Sequence, residues 1–96
     1  MERTEFEAAL VRDGFTVVSV TMQPNAINPE HMHPFDARLL VAEGSMTVAR
    51  EGAPTRTYQA GETYEMPVGC RHSETAGEAG AIYVAGRLVP ESRSVS

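Results

Sequence analysis

Hydrophobic and polar positions change their period once along this chain, at Gly14. Before it, in TEFEAALVRD (residues 4–13), Phe6 and Leu10 fall four apart with Val11 beside them, set among charged residues. That spacing is the stripe of an amphipathic helix. Thr4 and Glu7 form a T-x-x-E capping box, and Gly14 suits a left-handed terminator. So short a helix has to pack on something to persist. After Gly14, FTVVSVTM (15–22) is rich in β-branched residues and reads as a strand. Further strand-like pieces follow at 26–31, 36–42, 45–50, 56–59, 63–66, 71–75 and 80–88. Turn signals separate them: QPN at 23–25, EGS at 43–45, EGAP at 51–54, AG at 60–61 and PVG at 67–69. Many short strands with Gly and Pro turns predict an all-β sandwich or barrel. No repeat, low-complexity tract or internal linker interrupts the pattern. The expectation is one domain over residues 1–96, with a helix at 4–13, a barrel at 15–88 and a polar tail at 90–96 that frays.

Composition narrows the function classes. The 96 residues carry a formal charge of −5 and form no basic cluster, which argues against a nucleic-acid partner. No apolar run approaches the ~18 residues of a membrane span, and the first ten residues, MERTEFEAAL, lack the apolar core of a secretory signal. A cytoplasmic location is the resulting expectation. Cys70 is the single cysteine, so neither an internal disulfide nor a CxxC zinc site is available.

The candidate chemistry lies in the three histidines. On a strand, His31 and His33 share a face, with Cα atoms roughly 6.5–7 Å apart, a spacing at which two imidazoles can meet one ion. An isolated H-x-H is more often the mark of surface or structural histidines. His72 alters the balance: it follows the turn around Pro67 and Gly69 and resumes a strand, so in a closed barrel all three rings could converge on one interior point.

These residues resemble the cupin family of small jelly-roll barrels, over residues 15–88. The first cupin motif, G(X)5HXH(X)3–4E(X)6G, is matched by His31, His33 and Gly44, without the opening glycine. The second, G(X)5PXG(X)2H(X)3N, is matched by Gly61, Pro67, Gly69 and His72, with Ala76 at the Asn position. The resemblance implies a double-stranded β-helix fold and a metal held by His31, His33 and His72. It departs from the pattern at position 37, where the glutamate ligand is replaced by Ala37. Asp36 is adjacent, but one step along a strand turns a side chain to the other face. Glu74 shares the face of His72. Both are weak candidates for the missing ligand or for a catalytic acid or base, and each has a plain alternative: Asp36 caps a turn or pairs with Arg38, and Glu74 is a polar lining or rim residue.

Nitrogen donors suit a divalent transition metal (Fe, Zn, Ni or Mn) better than Mg or Ca, which prefer oxygen. Two functional classes follow from the resemblance. One is a module that binds or senses a small molecule through its metal. The other is an enzyme, first a three-histidine Fe(II) dioxygenase, since cupins without the carboxylate include thiol dioxygenases, and then a metal-dependent isomerase or lyase. The resemblance also implies a homodimer, and an exposed edge strand would favour such pairing. Among other residues, Arg38 could anchor an anion or pair on the rim. Met32, Met46 and Met66 read as core fillers, and Tyr58, Tyr64 and Tyr83 as packing residues with hydroxyls available to a pocket.

Overall fold

The computed structural model describes residues 1–90; the polar tail expected at 90–96 lies, beyond Pro90, outside the described residues. Helix α1 (Arg3–Arg12) begins one residue earlier than the sequence suggests. Its cap is Glu2, whose carboxylate accepts the Glu5 N–H at 3.1 Å. The expected Thr4–Glu7 box does not form: Thr4 lies inside the helix, and Glu7 pairs with Arg3 at 2.9 Å across one helical turn. Gly14 does terminate the helix, with φ at +86°. Phe6 and Leu10 are buried, whereas Val11 points to solvent.

Six strands follow among the described residues: β1 (Thr16–Met22), β2 (Ile27–His31), β3 (Asp36–Arg50), β4 (Arg56–Gln59), β5 (Thr63–Met66) and β6 (His72–Leu88). The pieces expected at 36–42 and 45–50 are one strand, and so are those at 71–75 and 80–88. β3 and β6 pair antiparallel along their whole length, with register shifts between Val41 and Glu43 and between Gly44 and Met46. Such bulges bend a strand without ending it. Gly44 and Gly80 take the positive φ values of +77° and +79° there. A Cβ on Gly44 would run into the Gly80 carbonyl oxygen, so the two long strands cross their bend in close backbone contact. The shorter strands pair to either side of this frame: β1 and β2 with β6, β4 and β5 with β3. The result is the jelly-roll barrel expected, with one short N-terminal helix.

The two faces of the sheet bury different residues. The interior holds Leu39, Val41, Met46, Val48, Tyr58, Tyr64, Met66 and Tyr83 among others. On the opposite face Leu40 and Val84 pack against Phe6, Leu10 and Phe15, and Gly86 makes room for the Leu10 side chain. Met46 and Met66 are core fillers as expected; Met32 is about half exposed. Asp36 and Arg38 fall on the outer face, in phase with Leu40, and Ala37 on the inner one. Arg38 does not pair with Asp36. Its guanidinium lies 2.7 Å from Asp13 and covers the Phe15 ring, and it holds the Asp13 carboxyl below the usual carboxylate range.

Candidate metal centre

Three different segments deliver the histidines. His31 ends β2, directly opposite His72 at the start of β6. The β2 register shifts between Asn28 and His31, where Pro29 offers no N–H to the ladder. His33 lies just past the strand end, so it is the departing chain, and not a shared strand face, that aims it. Two bonds fasten the 67–71 turn to this segment: the Gly69 N–H donates to the His33 carbonyl at 3.0 Å, and the Val68 N–H donates to Asp36 Oδ1 at 2.9 Å. Asp36 therefore caps this turn from outside the cluster and helps set where His72 begins.

The three rings meet. Centroids are 4.6 Å apart for His31 and His33, 4.3 Å for His31 and His72, and 5.4 Å for His33 and His72. One ligand atom from each lies within 4.8 Å of the others. Nitrogens bound to one ion at ~2.0–2.1 Å can stand no more than ~4.2 Å apart, so small ring rotations suffice to close the set. His31 Nδ1 lies 2.6 Å from the Pro29 carbonyl and His72 Nδ1 lies 2.9 Å from the Cys70 carbonyl. A carbonyl only accepts, so both Nδ1 atoms carry the proton and both Nε2 lone pairs are left for a ligand. His33 stacks on Phe35 at 4.6 Å. Burial, assisted by His31, His72 and Arg87, holds its pKa below the usual histidine value, against the opposing pull of Glu74. That favours the neutral, metal-binding form.

Glu74 is buried beside the cluster. Its carboxylate accepts from the Tyr64 hydroxyl at 2.9 Å and from Asn28 Nδ2 at 3.2 Å. Burial, with Glu74 next to it, pushes the Tyr64 hydroxyl well above its ordinary range, so it stays a proton donor. Tyr64 in turn stacks on Tyr58 at 4.4 Å. Inside the barrel a cavity of about 30 Å³ is lined by His33, Met66, His72, Glu74, Tyr83 and Arg87 among others. It has room for about one water. A surface groove of about 420 Å³ shares His33, Glu74, Tyr83 and Arg87 with it and adds His31 and Asn28. Anything larger than water would therefore meet the histidines from the groove. The sequence did not single out Arg87, Phe35 or Asn28. For Arg87 the available signal was its period-2 phase with Tyr83 and Ala85, which puts it on the inner face.

An all-β jelly roll with histidines converging inside it defines a class, and sequence comparison names the family. Residues 18–85 match the model of the cupin domain, and the chain belongs to that family. Among solved structures it is similar to KdgF from Halomonas sp., with a TM-score of 0.71, 21% identity, and 84% of this chain covering 74% of that one. It is also similar to an RmlC-like cupin from Shewanella frigidimarina, with a TM-score of 0.70, 20% identity, and coverage of 84% and 71%. An oxalate oxidase aligns at 28% identity with a TM-score of 0.69, the chain spanning 41% of its length with 77% of its own. No curated protein matches the sequence.

Proposed function

We propose that this chain, as one domain, is a metal-binding cupin that uses His31, His33 and His72 to hold a divalent transition metal (Fe, Zn, Ni or Mn) and binds or senses a small molecule beside it. The observation that carries this reading is the convergence of three histidines, two of them with Nδ1 pinned to a carbonyl and Nε2 free. A bound ion would supply open coordination positions and Lewis acidity toward the groove. The chain's own residues shape the rest. Glu74 places a buried, hydrogen-bonded carboxyl group beside the cluster, Tyr83 presents a hydroxyl, and Phe35 holds the His33 ring.

Elemental analysis of untagged protein, beside a His31→Ala/His33→Ala variant, tests the reading. Near-stoichiometric metal that disappears in the variant is the expected result. No metal in either protein, even after anaerobic Fe(II) addition, overturns it.

A second reading, a three-histidine Fe(II) dioxygenase, draws support from Ala37, which puts no carboxylate at the glutamate position of the first cupin motif, and from the likeness to an oxalate oxidase. Oxygen uptake by the Fe(II)-loaded protein with a panel of small thiols separates it from a binding module, which would show ligand-dependent stabilisation without turnover. The reading includes a homodimer: β2 bonds only to β6 among the described residues, and Ile27 and Met32 are exposed along and just past it, an edge open to pairing. It also includes a cytoplasmic location, to which the free thiol of Cys70 is suited.

A further inference from the structure

At the mouth of the barrel an exposed arginine, Arg87, stands opposite the position that lacks the motif's acid. Ala37 is buried on β3, and its partners in register are Met66 on β5 and Arg87 on β6. Side chains directly opposed on antiparallel strands stand ~4.5–5.5 Å apart at Cβ. A carboxylate at position 37, where the first cupin motif calls for one, would face Arg87. Alanine leaves the guanidinium without that partner, and among the described residues Arg87 forms no ion pair. Its guanidinium lies 5.3 Å from the Phe35 ring centroid, and Phe35 stacks on His33.

Arg87 lines both the inner cavity and the outer groove. Two carboxylates share the groove with it. Glu74 is engaged by Tyr64 and Asn28, and Glu30 is exposed at the groove without pairing to Arg87. A planar guanidinium with free donors, stacked on an aromatic ring, matches a carboxylate in shape and charge.

We propose that the carboxylate absent from position 37 is brought by the ligand: the site takes small organic acids, whose carboxylate pairs with Arg87 beside the histidines. The proposal deepens the metal reading and rests on it for the ligand's second anchor, the ion. A divalent ion beside the Arg87 guanidinium would attract anions to the site. Arg38, the arginine that the sequence offered for this role, is committed to Asp13 on the other side of the sheet.

Isothermal titration of the zinc-loaded full chain with glycolate, lactate, pyruvate and succinate tests it, with lactamide as the neutral counterpart of lactate. At least one acid binds and lactamide does not. Arg87→Met weakens acid binding by about tenfold or more while zinc content is unchanged, and Arg87→Lys restores part of it. Ala37→Glu abolishes acid binding and retains zinc, because its own carboxylate occupies Arg87. Binding of lactamide as tight as lactate, an Arg87→Met protein that binds acids like wild type, or no binding by any of the four acids overturns the proposal. Failure of the metal reading shows separately, as zinc content indifferent to the histidines before any acid is added. Titrating the metal-free chain then tests the Arg87 pairing alone.

Discussion

Glu74 shows how much a single residue depends on its partners. A carboxyl group at 4% exposure needs hydrogen bonds to replace the water it has lost. Tyr64 and Asn28 provide them, one to each oxygen. Tyr64→Phe keeps the ring and its stack on Tyr58 but leaves Oε2 of Glu74 bare. The expected cost is ~1–3 kcal/mol, the penalty for a buried acceptor that loses its donor, read as a lower urea midpoint at unchanged slope. Because Tyr64 is not part of the histidine cluster, zinc stoichiometry is expected to stay at the wild-type value. A variant as stable as wild type would show that water reaches Glu74. The histidines were legible in the sequence because three of them sat at motif spacing. The place of Glu74 on the face of His72 was legible too, from period-2 alternation. Its donors were not, since Tyr64 and Asn28 lie on other strands. Arg87 was illegible for the same reason: its significance lies in facing Ala37, and only the register of β3 on β6 reveals that.

At the scale of elements, β3 and β6 carry the architecture. β3 reads as two strands because EGS at 43–45 has the composition of a turn, and β6 reads as two, 71–75 and 80–88, about a break at 76–79. In the structure they are bends inside continuous strands, a distinction that depends on long-range pairing and leaves no local trace. Period-2 alternation was reliable wherever a strand had one buried face. It puts Ala37 inward and Asp36 outward, while the helix cap differs because the helix starts at Arg3, which leaves Thr4 inside its first turn. The bend makes a specific demand on Gly44: positive φ and no Cβ, since the Gly80 carbonyl fills that space. Gly44→Ala is therefore expected to cost at least ~2 kcal/mol through strain and displaced backbone. Gly52→Ala, at φ +80° with open space around it, is the control for strain alone, expected nearer ~1 kcal/mol. Equal losses at the two positions would mean that the crossing of β3 and β6 yields easily.

Considered as a whole, the described residues form two hydrophobic cores on opposite faces of one sheet, and one of them adjoins the histidines. The helix-side core (Phe6, Leu10, Phe15, Leu40 and Val84) shares no residue with the interior one. Sites without common partners contribute independently to stability, within ~0.5 kcal/mol. Metal that binds only the folded state stabilises it by ~2.7 kcal/mol at a hundredfold excess over Kd. In a domain of this size each kcal/mol moves Tm by ~4–8 °C, so saturating zinc is expected to raise Tm by about 10–20 °C. Leu10→Ala empties a fully buried position under the helix and is expected to cost ~2–5 kcal/mol. The zinc-induced increment in free energy, however, should be the same in Leu10→Ala as in wild type, because Leu10 contacts Gly86 and the outer face while the histidines close on the inner one. Thermal melts of both proteins with and without zinc complete the cycle. An increment that shrinks by more than about 1 kcal/mol, beyond the additivity limit, would show that the sheet transmits the loss of helix packing to the site. The helix would then be part of the apparatus that holds the histidines together, and not only a cover for the outer face.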